Sequence, residues 1–373
     1  MKYIDEFRDA AAASVLCEHL AELGNRLARA GRRVAVMEVC GTHTMAVARH
    51  GIRDILPGNV ELISGPGCPV CVTGPGYIDA AVELARKGCV IVTFGDMMNV
   101  PGSDTTLAAA RADGAAVKVC YSPSNALETA AGTPGREVVF LGIGFEATVA
   151  AVAGLINNAV KAQPGNFSIL SAFKTIPPAM SALLADPDVA IDAFLCPAHV
   201  SAIIGADAYR GIAESHGIPC VVAGFEPLDI LLGLVRILEQ LEQGAARVDN
   251  QYSRVVTAAG NLKAQGLMAR YLQPSDAFWR GIGTIPGSGL TIRPEYADMD
   301  AAVRLGIEVL AGRTPAGCRC GDVISGKLRP QECRMFGSAC TPENPVGSCM
   351  VSSEGTCASF FRYAAGKGAQ VPG

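Results

Sequence analysis

Short runs of β-branched and other apolar residues alternate with helix-like stretches along most of this chain. Apolar runs without polar alternation are typical of parallel sheets that helices cover on both faces. The predicted strands are Val34–Val39, Val60–Ile63, Val90–Phe94, Ala116–Cys120, Val138–Leu141, Phe167–Ser171, Ala193–Leu195 and Cys220–Val222. A chain of 373 residues, half of them hydrophobic, is long enough to bury more than one such core. The sequence therefore predicts the α/β class.

Changes in composition along the chain suggest four segments. An amphipathic helix is predicted over Asp5–Ala30, and we expect it to pack with the C-terminal domain. The loop Gly132–Gly135 is a plausible joint between two α/β domains, and one last helix is predicted over Asp298–Gly312. The predicted segments are the N-terminal helix 1–30, two tandem parallel-sheet (Rossmann-like) α/β domains at 31–133 and 134–275, and a cysteine-rich C-terminal domain at 276–373.

Charge and hydropathy exclude several classes of partner. A net charge of -4 without a basic block gives no reason to expect nucleic acid. The first 30 residues mix acidic and apolar side chains, unlike a signal peptide, and no window is apolar for long enough to span a bilayer. We therefore expect a cytoplasmic protein. In that reducing compartment the 14 cysteines are metal ligands, redox thiols or small core residues rather than a disulfide framework.

Six of the cysteines lie in one segment near the C-terminus that has little hydrophobic periodicity. A region that cannot build its own core is usually stabilised by disulfides or by a bound metal, and in a reducing compartment the metal is expected. Four-cysteine sites bind iron–sulfur clusters or structural zinc, and the mostly wide spacings favour iron–sulfur over zinc. The six are Cys318, Cys320, Cys333, Cys340, Cys349 and Cys357.

A second group of thiols follows the strand Val60–Ile63, in the sequence Gly-Pro-Gly-Cys68-Pro-Val-Cys71. Two cysteines at this spacing can form a disulfide, and such pairs often have a depressed thiol pKa. The flanking glycine and proline residues fix the loop and allow a partner to approach closely. A redox pair is the favoured interpretation of Cys68 and Cys71, and the alternatives are half of a zinc site or a turn with two incidental cysteines.

A third group, Cys40-Gly-Thr42-His43, stands at the carboxyl end of the first predicted strand, where open parallel sheets bind their ligands. A thiolate and an imidazole together suit a transition metal, or a thiol activated by a base. By itself, Cys40 would more often be a small core residue. The position of Cys40 and His43 favours a functional site.

Other polar residues near strand ends are not assigned a function. Gly142-Ile-Gly144-Phe-Glu146-Ala147 imitates a dinucleotide fingerprint, but no acidic residue follows about 20 positions later, so NAD binding is disfavoured. Asp96 and His199 also follow predicted strands, and His199 is equally compatible with the core. Cys196 is likewise compatible with the core and has no assigned role, and the cysteines expected in the core are Cys17, Cys89, Cys120 and Cys220.

Taken together, these motifs resemble the HypD family of hydrogenase maturation factors along nearly the whole chain. The matching stretches are Met-Glu-Val-Cys40-Gly-Thr-His43, Gly-Pro-Gly-Cys68-Pro-Val-Cys71, Phe-Gly-Asp96-Met-Met-Asn-Val-Pro-Gly, Gly-Phe225-Glu-Pro-Leu-Asp, Cys-Arg-Cys-Gly-Asp322 and the tail from Thr341 through Cys349 and Glu354 to Cys357. The cluster motif of the family has cysteines separated by 14, 6 and 16 residues, which this chain matches. The resemblance therefore implies a 4Fe–4S cluster bound by Cys318, Cys333, Cys340 and Cys357, with Cys320 and Cys349 left over.

The resemblance also implies a function as an assembly scaffold with redox activity. Members of the family work with the small chaperone HypC and with HypE to assemble the Fe(CN)2CO unit of nickel–iron hydrogenase. Carried over to this chain, Cys40 binds the iron that receives these ligands, with His43 close by. Cys68 and Cys71 are then a redox pair that takes electrons by way of the cluster. We expect a monomer that joins a heteromeric complex.

Two departures from the family pattern and two alternative functions stay open at this point. Thr42 and Ala147 stand where the family often has glycine and threonine. The chain is alternatively an iron–sulfur-dependent thiol–disulfide oxidoreductase, which needs the cysteine pair and the cluster but not Cys40 and His43. A structural zinc protein with an α/β binding module is the third possibility.

Overall fold

The computed structural model describes residues 5–363, which form two sheets with helices packed on their faces. The strands are β1 Val34–Glu38, β2 Val60–Ser64, β3 Val90–Phe94, β4 Val117–Cys120, β5 Val138–Gly144, β6 Phe167–Lys174, β7 Ala193–Pro197, β8 Cys220–Ala223, β9 Val248–Asn250, β10 Leu272–Trp279 and β11 Gly283–Ile292. Each of the eight predicted strands overlaps an observed one.

The α-helices of the described residues are mostly short. They are α1 Ala10–Arg29, α2 Gly41–Arg49, α3 Pro69–Val72, α4 Pro75–Arg86, α5 Leu107–Ala112, α6 Asn125–Ala131, α7 Glu146–Ala162, α8 Ile176–Leu184, α9 Ala198–Ile204, α10 Arg210–His216, α11 Pro227–Glu242, α12 Leu262–Tyr271, α13 Ala301–Arg304, α14 Cys320–Ile324, α15 Ser348–Val351 and α16 Thr356–Tyr363. Short 3-10 turns cover Asp5–Phe7, Ile52–Ile55, Gly95–Met97, Ala206–Tyr209, Pro294–Met299 and Pro330–Glu332. Among residues 5–363, no helix combines the length and the apolar character needed to cross a bilayer.

The two sheets confirm the predicted α/β class with parallel pairing. The first sheet has the order β2-β1-β7-β8-β9 and is parallel throughout. The second has the order β10-β11-β6-β5-β3-β4, in which β3 to β6 pair in parallel and the β10–β11 hairpin adds an antiparallel edge.

The chain builds these sheets in an interleaved way, unlike the predicted tandem order. Strands β1 and β2 belong to the first sheet, the next four strands build the second, and β7 to β9 return to the first. The segments 31–133 and 134–275 thus each supply strands to both sheets. An apolar run shows that a strand is buried, but it carries no local information about the strand with which it pairs.

Three apolar cores hold the sheets and helices together. One side of the first sheet packs with α1, α2 and α11, and one side of the second packs with α6, α7 and α12. The remaining faces share a large central core, to which Met37 and Phe194 of the first sheet and Ile91 and Leu141 of the second contribute. The two sheets are therefore parts of one packed structure.

The N-terminal helix packs along α11, whereas the sequence predicted packing with the C-terminal domain. Leu20, Leu23 and Leu27 are buried in the core that also contains residues of α11. Arg26 pairs with Glu242 near the end of that helix. The amphipathic pattern predicted a buried face for α1, but it could not identify the helix that covers this face.

The region after residue 270 differs from the sequence prediction in one helix and contains a hairpin that was not predicted. The predicted helix Asp298–Gly312 is only the four-residue α13, because Gly306 adopts a left-handed conformation (φ 59°) soon after it. The glycine-rich residues 283–289 form most of β11, which pairs with β10. Glycine and proline are unusual inside strands, so the sequence of this hairpin did not predict two strands.

The interleaved order generates a test. We expect the isolated segment 31–133 to show no cooperative thermal transition, because it carries only β1 and β2 of one sheet and β3 and β4 of the other. Circular dichroism melting of the segment, with the full chain as control, checks this. A sharp transition of the isolated segment would contradict the interleaved fold.

Candidate metal and redox site

The candidate site lies at the carboxyl ends of four neighbouring strands of the first sheet. In the order β2-β1-β7-β8, the strands are followed by the CxxC loop, by Cys40, by His199 on α9 and by Gly224-Phe225. Parallel strands bring such loops to one edge, so residues distant in sequence meet there.

Cys40 is the centre of this edge. It immediately precedes α2 and is 2% exposed, with its Sγ 3.8 Å from Nδ1 of His199. Burial, with a smaller contribution from the nearby Glu354 carboxylate, raises the pKa of Cys40 to about 12. The site thus holds a neutral thiol beside the imidazole of His199, whose pKa is lowered by burial.

His43 lies in the first turn of α2 and is fully buried, and only one of its ring nitrogens makes a hydrogen bond within the described residues. Nε2 donates to the carbonyl of Gly224 at 2.9 Å, since that oxygen can only accept. Burial lowers the pKa of His43 to about 4, so the ring is neutral and Nδ1 carries a lone pair. Nδ1 has no hydrogen-bond partner within the described part of the chain. The rings of His43 and His199 both contact Phe225, at centroid distances of 4.8 and 5.4 Å.

Two acidic residues from other parts of the chain, Glu354 and Asp96, lie next to the site. Thr42 donates to Oε1 of Glu354 at 2.6 Å, and a side chain at Gly41 would collide with the Glu354 backbone. Asp96, after β3 of the second sheet, accepts a hydrogen bond from Ser352 at 3.4 Å. Burial raises the pKa of Glu354, the Thr42 hydrogen bond partly offsets this, and the charge of Asp96 adds to the rise. The threonine that departs from the family pattern therefore fixes this carboxyl group.

The CxxC loop passes directly over Cys40. Its Gly67 carbonyl accepts a hydrogen bond from the Gly41 amide at 3.0 Å, and a side chain at Gly67 would collide with the Cys40 backbone. Cys68 and Cys71 are joined by a disulfide and are 5% and 0% exposed. The disulfide is thus enclosed in the protein, in the loop that crosses the Cys40 backbone.

The six C-terminal cysteines line one cavity, which also has apolar walls that include Met335, Phe336 and Val346. Side-chain contacts connect Cys318 to Cys320, Cys320 to Cys349, and Cys349 to Cys357. Contact with Cys320, together with burial, raises the pKa of Cys318. These are the cysteines Cys318, Cys320, Cys333, Cys340, Cys349 and Cys357.

Ser348 connects this cavity to the CxxC loop. Its hydroxyl donates to the Cys71 carbonyl at 3.0 Å and lies 3.8 Å from the sulfur of Cys320. Its own carbonyl is 3.9 Å from Sγ of Cys71. The next residue, Cys349, also lines the cavity. Buried contacts therefore lead from the cavity to the disulfide and from the disulfide loop to Cys40.

The donor set of the cavity fits an iron–sulfur cluster. The four predicted ligands all face the same space, and apolar walls limit access of water. The amide of Val346 donates to the Cys340 sulfur at 3.4 Å, a contact of the kind that tunes cluster potentials. Within residues 5–363, no three His, Cys, Asp or Glu side chains are gathered as ligands of one ion. Cluster thiolates bind different irons and stand farther apart, so a shared cavity is the arrangement that they need.

Two further residues, Glu146 and Cys196, have no assigned role in the site. Glu146 begins α7 of the second sheet, where one carboxylate oxygen accepts from the Ile176 amide at 2.9 Å. Burial raises the pKa of Glu146 to about 7. Cys196 is fully buried and contacts Cys220. Ser348 was not predictable as a site residue, because it belongs to no motif with recognised chemistry.

The fold and the site define a two-sheet α/β protein with a buried Cys–His site, an adjacent disulfide and a cysteine-lined cavity. Comparison with known proteins assigns the chain to a family. The family model HypD, described as the hydrogenase formation hypA family, matches residues 15–364. The chain belongs to this family, so the resemblance of its motifs is confirmed.

Several hydrogenase maturation factors HypD are similar to this chain over nearly its full length. The protein from Azotobacter vinelandii is 46% identical over 371 residues, with 97% of each chain covered. That from Escherichia coli K12 is 44% identical over 366 residues, covering 97% of this chain and 98% of the relative. The Rhodobacter capsulatus protein is 43% identical, with 99% and 100% covered. Membership in this family connects the chain to hydrogenase maturation.

The close crossing of the CxxC loop and Cys40 can be tested by one added methyl group. We expect Gly67→Ala to lower the free energy of unfolding by about 1–3 kcal/mol and to expose Cys40, since backbone atoms occupy the required space. Urea denaturation and the rate of Cys40 alkylation measure both effects. The matched control is Gly58→Ala, where a methyl group meets no atom within 4 Å. Equal behaviour of the two variants would show that the crossing is not tight.

Proposed function

We propose that this protein is an assembly factor for the Fe(CN)2CO unit of nickel–iron hydrogenase. Membership in the HypD family supports a role in maturation. The observation that carries the finer proposal is the contact of the buried Cys40 thiol with His199, whose ring shares Phe225 with that of His43, below the loop that contains the enclosed disulfide. Iron is the substrate in this proposal.

Iron binding at Cys40 exchanges a proton for the metal. Because burial raises the pKa of the free thiol to about 12, the thiol keeps its proton until a metal cation takes the proton's place. His199, whose Nδ1 lies 3.8 Å from the sulfur, has a pKa that burial lowers, so its imidazole stays neutral and the displaced proton is released to solvent. The lone pair on Nδ1 of His43 offers a second donor in the same site. Iron that carries cyanide and carbon monoxide needs soft ligands and protection from oxygen, and this buried edge supplies both.

The cysteine-rich cavity supplies the redox part of the proposal. Cys318, Cys333, Cys340 and Cys357 would hold a 4Fe–4S cluster, which supplies electrons one at a time when bound. Reduction of the disulfide takes two electrons and two protons and leaves Cys68 and Cys71 as thiols. The contacts through Ser348 provide a short buried path between cavity and disulfide. A 4Fe–4S cluster is therefore the cofactor that we propose.

Partners and compartment follow from the same proposal. The small chaperone HypC and HypE would deliver and receive the iron unit, with this chain as a monomer in their heteromeric complex. Free thiols such as Cys40 and those of the cavity stay reduced in the cytoplasm, where we propose that the protein works.

The alternative, a thiol–disulfide oxidoreductase that acts on other molecules, has weaker support. Such an enzyme must expose at least one sulfur of its disulfide to the substrate. Here Cys68 is 5% exposed and Cys71 is fully enclosed. The disulfide is better placed to exchange electrons inside the protein than with a substrate in solution.

Infrared spectroscopy tests the assembly function. We expect protein that is purified anaerobically with HypC to show the stretches of metal-bound cyanide and carbon monoxide, and Cys40→Ala to lose them. The matched control is Cys89→Ala, which removes another buried thiol and should keep the bands. Bands that persist in Cys40→Ala would contradict the ligand role. Their absence from wild-type protein with an intact cluster and bound HypC would contradict the assembly function.

A further inference from the structure

A buried arginine next to the cysteine cavity has a charge that no residue of the described chain neutralises. Arg280 follows β10 and is 2% exposed. Its terminal nitrogens Nη1 and Nη2 have no hydrogen-bond partner within residues 5–363. An unpaired buried guanidinium is costly, and its high intrinsic pKa prevents it from escaping that cost by losing its proton. A buried polar group without a partner calls for an explanation, and a redox role beside an anionic centre is one of those that apply to native structures.

The backbone holds this guanidinium in place from two sides. The amide of Arg280 donates to the Val72 carbonyl at 2.8 Å, and its Nε donates to the Thr73 carbonyl at 3.1 Å. Both acceptors lie at the end of α3, the helix that contains Cys71. On the other side, Gly281 has a φ of 82° and touches Gly321, so that a side chain at position 281 would collide with the start of α14. Arg280 is therefore fixed between the CxxC helix and Cys320.

The groups that face this charge are thiols. Cys320, Cys318 and Cys349 are the residues that interact electrostatically with Arg280, and each lines the cavity. As neutral thiols they give the guanidinium no counter-charge. When Cys318 and the other three proposed ligands of the same cavity bind iron as thiolates, the cavity becomes negative and the charge of Arg280 is compensated.

We propose that Arg280 is a positioning residue whose positive charge compensates the negative charge of the reduced cluster in the cysteine cavity. This charge thereby raises the reduction potential of the cluster. This inference rests on the proposed function, since it takes the cavity to bind a 4Fe–4S cluster. Each electron that enters the cluster adds a negative charge, and a fixed cation nearby favours that step. The same residue anchors the end of the CxxC helix, so it also keeps the disulfide next to the cavity.

Potentiometric titration of the cluster, followed by electron paramagnetic resonance, tests this role. We expect Arg280→Met, which removes the charge and keeps an unbranched side chain, to disfavour reduction at least tenfold. This corresponds to a potential about 59 mV lower for a one-electron couple. We expect Arg280→Lys to keep a potential near that of the wild type. The control is Arg304→Gln, which removes an arginine that pairs with Glu137 and should leave the potential unchanged.

Each outcome decides a separate point. If Arg280→Met and the wild type have equal potentials, the inference is wrong while the proposed function stands. If Arg280→Met fails to hold the cluster, Arg280→Lys decides: retention at the wild-type potential supports the role of the charge, and loss of the cluster overturns it. Wild-type protein without a cluster would contradict both proposals. A shifted potential in protein that never shows cyanide or carbon monoxide bands would support Arg280 and contradict the assembly function alone.

Discussion

The structure depends on the contact between two backbones, where the CxxC loop crosses Cys40 with no space for a side chain at Gly67. This contact joins the ends of β1 and β2 and encloses the thiol together with the disulfide. Burial then has opposite effects on the two ionisable groups beside it. It raises the pKa of Cys40 and lowers that of His43, so both are neutral until a cation arrives.

The interleaved fold explains how distant segments reach this contact. Because β7 and β8 return to the first sheet, His199 and Gly224 stand beside Cys40, although about 160 or more residues separate them in sequence. The C-terminal segment supplies both Glu354, which closes the Cys40 site, and Ser348, which touches the disulfide loop. One polypeptide segment thus contacts the Cys40 site, the disulfide loop and the cysteine cavity.

The sequence predicted the local features well and the long-range ones less well. Apolar runs located eight strands, and the position of Cys40 at a strand end predicted its place at the sheet edge. Strand partners, the packing of α1 on α11 and the β10–β11 hairpin were not predictable, because pairing is decided by contacts between distant residues. Arg280 has no motif around it, and only its burial and its free nitrogens reveal it.

The central claim is that electrons pass from the cysteine cavity to the Cys68–Cys71 disulfide beside Cys40. Reduced methyl viologen, a one-electron donor, can be added anaerobically to wild type and to Cys333→Ser, which lacks one predicted cluster ligand. Alkylation and mass spectrometry then count the free thiols at Cys68 and Cys71. The account predicts that both thiols appear in wild type and that the disulfide of Cys333→Ser stays oxidised. Equal reduction of the disulfide in the two proteins, or a reduced cluster beside an intact disulfide, would contradict it.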